Sequence, residues 1–160
     1  MSASRTLVPT ASLLIILGLL LGVSGLLALA GVLWPALEIG GTRAARFGLA
    51  AVFVFTGIGH FVKAREMAEM LPPWVPARLA IIWATGVLEL AFAAGLVLPG
   101  ASRATGIAVI AFLLAVFPAN VSAARRRVDF GGHGRGPAYL LVRAPLQLLL
   151  IAWAYGFAVR

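Results

Sequence analysis

The chain contains no cysteine, which excludes disulfides, thiol redox chemistry and thiolate metal sites. Histidine is almost as scarce. His60 and His133 are the only imidazoles, too few for a structural zinc site, and a metal at His60 would have Glu89 alone to join it. Charge is thin as well: 11% of the 160 residues are charged, where a soluble domain carries about a quarter. Acidic residues are the rarer sign, with 5 Asp and Glu against 13 Lys and Arg, for a net charge of +8.

What replaces the missing charge is apolar surface. Hydrophobic residues make up 62% of the sequence, more than a soluble fold of this size can hide, so lipid must cover it. The basic residues sit between long apolar runs. That is the pattern of membrane topology and not of a nucleic-acid-binding face, so nucleic acid is excluded as a partner.

Five apolar runs approach the roughly 20 helical residues that a bilayer core demands. They cover about 11–34, 46–62, 78–98, 104–123 and 138–158. In lipid the backbone must satisfy its own hydrogen bonds, and runs of this length do so as helices. The expected fold is an all-α polytopic membrane helix bundle. The segment 63–77 carries Met67, Met70, Leu71 and Trp74 at helical spacing, which fits either a short amphipathic surface helix or a loop with a few apolar residues. The glycine-rich segment 131–136 reads as a flexible, solvated connection or as a phosphate cradle built on backbone amides and Arg135.

Orientation follows from arginine and lysine. One side gathers Arg5, Lys63, Arg65, Arg78, Arg125, Arg126, Arg127 and Arg135; the other has Arg43, Arg46, Arg103 and Arg160. The richer side is expected to be cytoplasmic, which puts the amino terminus inside and the carboxyl terminus in the periplasm. The first run reads as a retained helix, with a signal peptide as the alternative because Ala28-Leu29-Ala30 resembles a cleavage site. Gly18 and Gly22 form a G-x-x-x-G, a candidate helix-packing face. Trp34, Trp74, Trp83 and Trp153 fall near span ends, as interfacial anchors do.

Polar side chains inside a span are costly and normally face a partner or a cavity. Five stand out: His60, Glu89, Asn120, Arg143 and Gln147. A rise of about 1.5 Å per residue puts Glu89 roughly 16 Å, Gln147 about 13 Å and Arg143 about 8 Å from the cytoplasmic helix ends, with His60 and Asn120 nearer the surface. Thr56 and His60, Thr85 and Glu89, and Arg143 and Gln147 are each four apart and share a face. The expected arrangement is a polar cluster with Glu89 stabilised by Arg143, Gln147 or His60, beside kinks at Pro118 and Pro145. Two roles stay open: a cluster that only holds the bundle together, or a cavity that binds a polar head group or relays a proton.

Five stretches occur in order: GIGHF at 57–61, LPPWVP at 71–76, GVLE at 86–89, VFPAN at 116–120 and RAPLQ at 143–147. Together they resemble the DoxX-like family of small bacterial membrane proteins. The resemblance implies a four-helix membrane domain over 46–160, with 1–45 as an added amino-terminal helix and periplasmic loop. It implies an inner-membrane location, a redox- or stress-linked setting with quinone as a cofactor, and membrane lipids or a membrane redox protein as partners, in a monomer or an oligomer. His60, Glu89, Asn120, Arg143 and Gln147 fall on the family's recurring polar positions. A quinone- or lipid-binding protein is the leading expectation, and a non-enzymatic scaffold that stabilises a partner is the alternative.

Overall fold

A computed structural model describes residues 8–131 and 133–160; Arg5 and Gly132, which enter the readings above, lie outside them. Among the described residues there are helices and turns and no strand. Helices α1 (Val8–Gly18) and α2 (Ser24–Leu33) run on through a wider π turn at Leu19–Val23. A short 3-10 turn, Pro35–Leu37, leads to α3 (Gly41–Val62), and α4 (Ala64–Ala68) follows it. Then come α5 (Arg78–Val97) and α6 (Ser102–Arg126). A 3-10 segment, His133–Tyr139, opens α7 (Leu140–Ala154), which ends in a second π turn at Tyr155–Val159.

Five segments are long and apolar enough to cross a membrane: Leu13–Leu33, Gly41–Val62, Arg78–Val97, Ser102–Arg126 and His133–Val159. The protein is a multi-pass membrane helix bundle. The second span begins five residues before its apolar run does, because arginine is a good helix former and Arg43 and Arg46 extend the helix beyond its greasy part. Arg46 Nε donates to Phe157 O at 2.6 Å, and Trp153 Nε1 donates to Ala45 O at 3.0 Å, tying the start of the second span to the end of the fifth. Trp153 is therefore a bonded part of the bundle, whereas Trp34, Trp74 and Trp83 are exposed.

At the opposite end, the amphipathic segment is a helix for only one turn and a half. Chain reversal follows α4, and Pro72, Pro73 and Pro76 bar any return to helix before Arg78. Arg126 Nη2 points at the carbonyls of Glu69, Met70 and Leu71, at 2.9, 2.7 and 3.0 Å, and fastens this segment to the end of α6. Helix α6 itself stops because Arg127 turns left-handed at φ 54°; Val128 N–H then reaches Ala123 O at 3.1 Å and closes the end. Beyond it the glycine-rich segment is not a solvated connection. His133 and Gly136 are buried while Gly134 and Arg135 are exposed; the His133 ring lies 4.8 Å from that of Tyr139 beyond the segment, and the stretch His133–Tyr139 packs on α6.

The core lies between α3, α5, α6 and α7. Phe53, Phe92 and Phe112 form an edge-to-face series at 5.8 and 5.4 Å, and Leu49, Val52, Leu96 and Val109 are fully buried around it. The first span leans on this core through Ile16 and Leu20. Its closest approach is at Gly48, where any side chain would strike the Ser24 hydroxyl and Leu20 O. Ser24 Oγ donates to Leu20 O at 2.5 Å across the π turn. Gly18 and Gly22 face open space, so the G-x-x-x-G is not a packing face of this bundle.

Candidate functional site

The second and third spans meet at glycine. A methyl group on Gly86 would sit 2.7 Å from His60 Cβ and 3.2 Å from Gly57 O; one on Gly57 would sit 3.2 Å from Gly86 O. With no Cβ on either side, the antiparallel backbones close in, His60 lies against Gly86, and the Glu89 side chain, one turn farther along α5, reaches back to the imidazole. His60 Nδ1 lies 3.6 Å from Glu89 Oε2, with side-chain exposures of 10% and 9%. Reading the polar residues alone missed both glycines.

His60 is level with Gly86, one turn short of Glu89; this is deeper than a count from the end of its own helix gives. Helix α5 starts farther out than α3 ends, and α4 packs against that extra length. Counting from each helix's own end assumes a common starting plane, which these helices do not share.

The pair is close but not closed. A carbonyl can only accept, so the contact of 2.9 Å between His60 Nδ1 and Thr56 O fixes the proton on Nδ1 and aims it at that carbonyl. The Thr56 hydroxyl likewise donates to Val52 O at 3.1 Å. Thr85 spends its hydroxyl on Ile81 O and Ile82 O, at 3.0 and 2.9 Å, and gives nothing to Glu89. Glu89 Oε2 is left buried with no hydrogen bond.

Arg143 faces Glu89 electrostatically but is not bonded to it: no carboxylate lies within 4.0 Å of its guanidinium among the described residues. Its Nε is also buried without a partner. Beside it a crevice of about 10 Å³ opens between the first and fifth spans, lined by Leu13, Ile16, Tyr139, Val142 and Leu146. On the same side stands His133, whose Nδ1 donates to Phe130 O at 2.8 Å and whose Nε2 is buried and unpartnered.

The other two residues are engaged elsewhere. Gln147 Nε2 donates to Leu113 O at 2.5 Å and stitches α7 to α6. Asn120 Nδ2 donates to Val116 O at 3.2 Å within its own helix, across the turn that holds Pro118. Of the five sequence-derived residues, the structure brings His60, Glu89 and Arg143 toward one region. It gives Gln147 and Asn120 backbone partners of their own. Among the described residues, no group of three or more His, Asp or Glu could hold a metal ion.

What remains chemically is one buried carboxylate oxygen, Glu89 Oε2, lacking a donor and a buried guanidinium N–H lacking an acceptor. A hydroxyl set between them, accepting from Arg143 and donating to Glu89, would meet both needs at once. No curated protein and no solved structure matches the chain. A family model matches residues 49–158, which takes in all of this site and leaves the first span outside. Because that match covers well over half of the chain, the protein belongs to this family, a domain of unknown function (DUF8561).

Proposed function

We propose that this protein is a component of the bacterial cytoplasmic membrane that holds the polar head of a quinone or lipid between Glu89 and Arg143, in the service of a redox- or stress-linked membrane system. One observation carries the reading: Glu89 Oε2 and Arg143 Nε are buried, complementary and unsatisfied. Leaving both without partners is expensive in hydrocarbon, and a bound hydroxyl, such as that of a reduced quinone or a lipid head group, removes the cost on both sides by donating to Glu89 and accepting from Arg143. The crevice beside Arg143 lies between the first and fifth spans, where parting of the helices would admit a ligand from lipid. The ordered motifs from GIGHF to RAPLQ support kinship with the DoxX-like proteins. The arginine-rich end, with Lys63, Arg65, Arg78 and Arg125 to Arg127, supports a cytoplasmic placement of α4.

A second reading, a scaffold with no ligand, is favoured by the size of that crevice. At about 10 Å³ it has room for roughly one water and not for a ring, so a quinone would have to part the helices. Native mass spectrometry separates the two. The parent protein is expected to retain a quinone or lipid, and Arg143→Ala to lose it while keeping its fold. If the parent carries nothing and Arg143→Ala only lowers the melting temperature, with Glu89→Gln restoring it, the scaffold reading holds. Orientation is checked by reporters fused after Arg127 and after Arg160, expected cytoplasmic and periplasmic in turn.

A further inference from the structure

A second site lies at the α4 end of the bundle, apart from Glu89 and Arg143. An open groove of about 470 Å³ runs between the segment after α4 and the first turn of α5, and Glu69, Pro73, Val75, Arg78 and Leu79 are among its lining residues. Its size falls in the range of sites that hold small molecules. The groove is not an accident of a loose loop. Arg126 fastens one wall at three successive carbonyls, and prolines stiffen it. The turn into the other wall is strained, since Ala77 is held left-handed at φ 48°, a conformation that disfavours a residue with a Cβ by about 1 kcal/mol.

Two charges of opposite sign line this groove, and they do not pair with each other. Neither the Arg78 guanidinium nor the Glu69 carboxylate takes part in an ion pair or side-chain hydrogen bond among the described residues. A simple anion would be drawn to Arg78 and repelled by Glu69; a simple cation would meet the reverse. Only a molecule carrying both charges a few ångströms apart suits both walls. Trp74, 82% exposed on the same segment, marks the depth at which tryptophan anchors, among lipid head groups. Val75 and Leu79 offer apolar lining to the part of such a molecule that continues into the bilayer.

We propose that this groove binds the head group of a zwitterionic aminophospholipid of the phosphatidylethanolamine type. The phosphate accepts from Arg78 and the primary ammonium donates to Glu69. Phosphatidylcholine has the same net charge, but its quaternary ammonium carries no N–H, so it loses the bond to Glu69.

The test is native mass spectrometry of the full chain in detergent with equimolar phosphatidylethanolamine, phosphatidylcholine and phosphatidylglycerol. The parent should retain phosphatidylethanolamine over phosphatidylcholine by about tenfold, the worth of one charge-assisted hydrogen bond. Glu69→Gln should bring the two to parity, and Arg78→Ala should lower retention of both. Arg143→Ala should leave the selectivity unchanged, which separates this site from the one proposed above. Equal retention of the two zwitterionic lipids, or a preference for phosphatidylglycerol, overturns the proposal. So does selectivity that survives Glu69→Gln. Should a variant misfold, as its melting temperature would reveal, the parent's own head-group selectivity decides.

Discussion

The first and second spans lie side by side, yet the glycines in the middle of each differ in what they meet. In the first, 11% of the apolar window is buried, and Gly18, Gly22 and Gly25 meet nothing within van der Waals range, while Gly31, near its end, packs against the Ile39 backbone. In the second, 44% is buried; a methyl group on Gly48 would strike the first span, one on Gly57 would press on Leu90 and Gly86 O, and Gly41 and Gly59 meet nothing. Spacing within one helix did not separate these cases. What separates them is the facing helix: Gly57 answers Gly86, and Gly48 answers the Leu20–Ser24 turn, whereas Gly18 and Gly22 answer nothing within this chain. The family match begins inside the second span, just after Gly48, and excludes the first.

The sharpest way to break this comparison is to fill the seam between α3 and α5. Gly86→Leu should cost about 3 kcal/mol, because the side chain must displace both His60 and the Gly57 backbone. A large drop in the melting temperature in detergent is the expected result, and an unchanged one would mean the seam is not close-packed. Gly48→Ala should cost less, about 1–2 kcal/mol, since it loosens the first span from the rest. Hydrogen exchange should then rise in Leu20 to Ser24 and stay low in α5.

A double-mutant cycle on His60→Ala and Glu89→Gln should show a coupling near 1 kcal/mol, typical of polar contacts between membrane helices. Strict additivity would dissolve the pair. The smallest effect belongs to Gly22→Ala, which should leave stability within about 1 kcal/mol of the parent and tend to raise it, as alanine favours helix. If instead it costs as much as Gly48→Ala, Gly22 is packed against a second copy, and the first span is not a lipid-facing helix.

Helix type and span number were legible in the sequence, because hydrocarbon forces any long apolar run into one conformation. The vertical offset between helices was not. It depends on how far α5 projects past Val62, and that is set by α4 and Arg126, whose role reads in sequence only as one of three adjacent arginines. For the same reason Glu89 was expected to rest on Arg143, Gln147 or His60 alike, and only His60 stands within ion-pairing distance. Gln147 found a backbone carbonyl, an acceptor every residue carries and none advertises. His133 sat in so glycine-rich a stretch that burial could not be inferred, although its ring is 2% exposed.

The bond from Arg46 to Phe157 O has a bearing on how the molecule comes together. Its two ends are 111 residues apart, so the arginine enters the membrane long before its acceptor exists. Until the fifth span is made, the guanidinium at the start of the second span has only water and lipid phosphate to bind. The other spans can pack pairwise as they emerge, by local contacts such as the α3–α5 seam. This corner of the bundle cannot. Assembly therefore has a fixed last step, the docking of the fifth helix, and before it the far end of the bundle stands open.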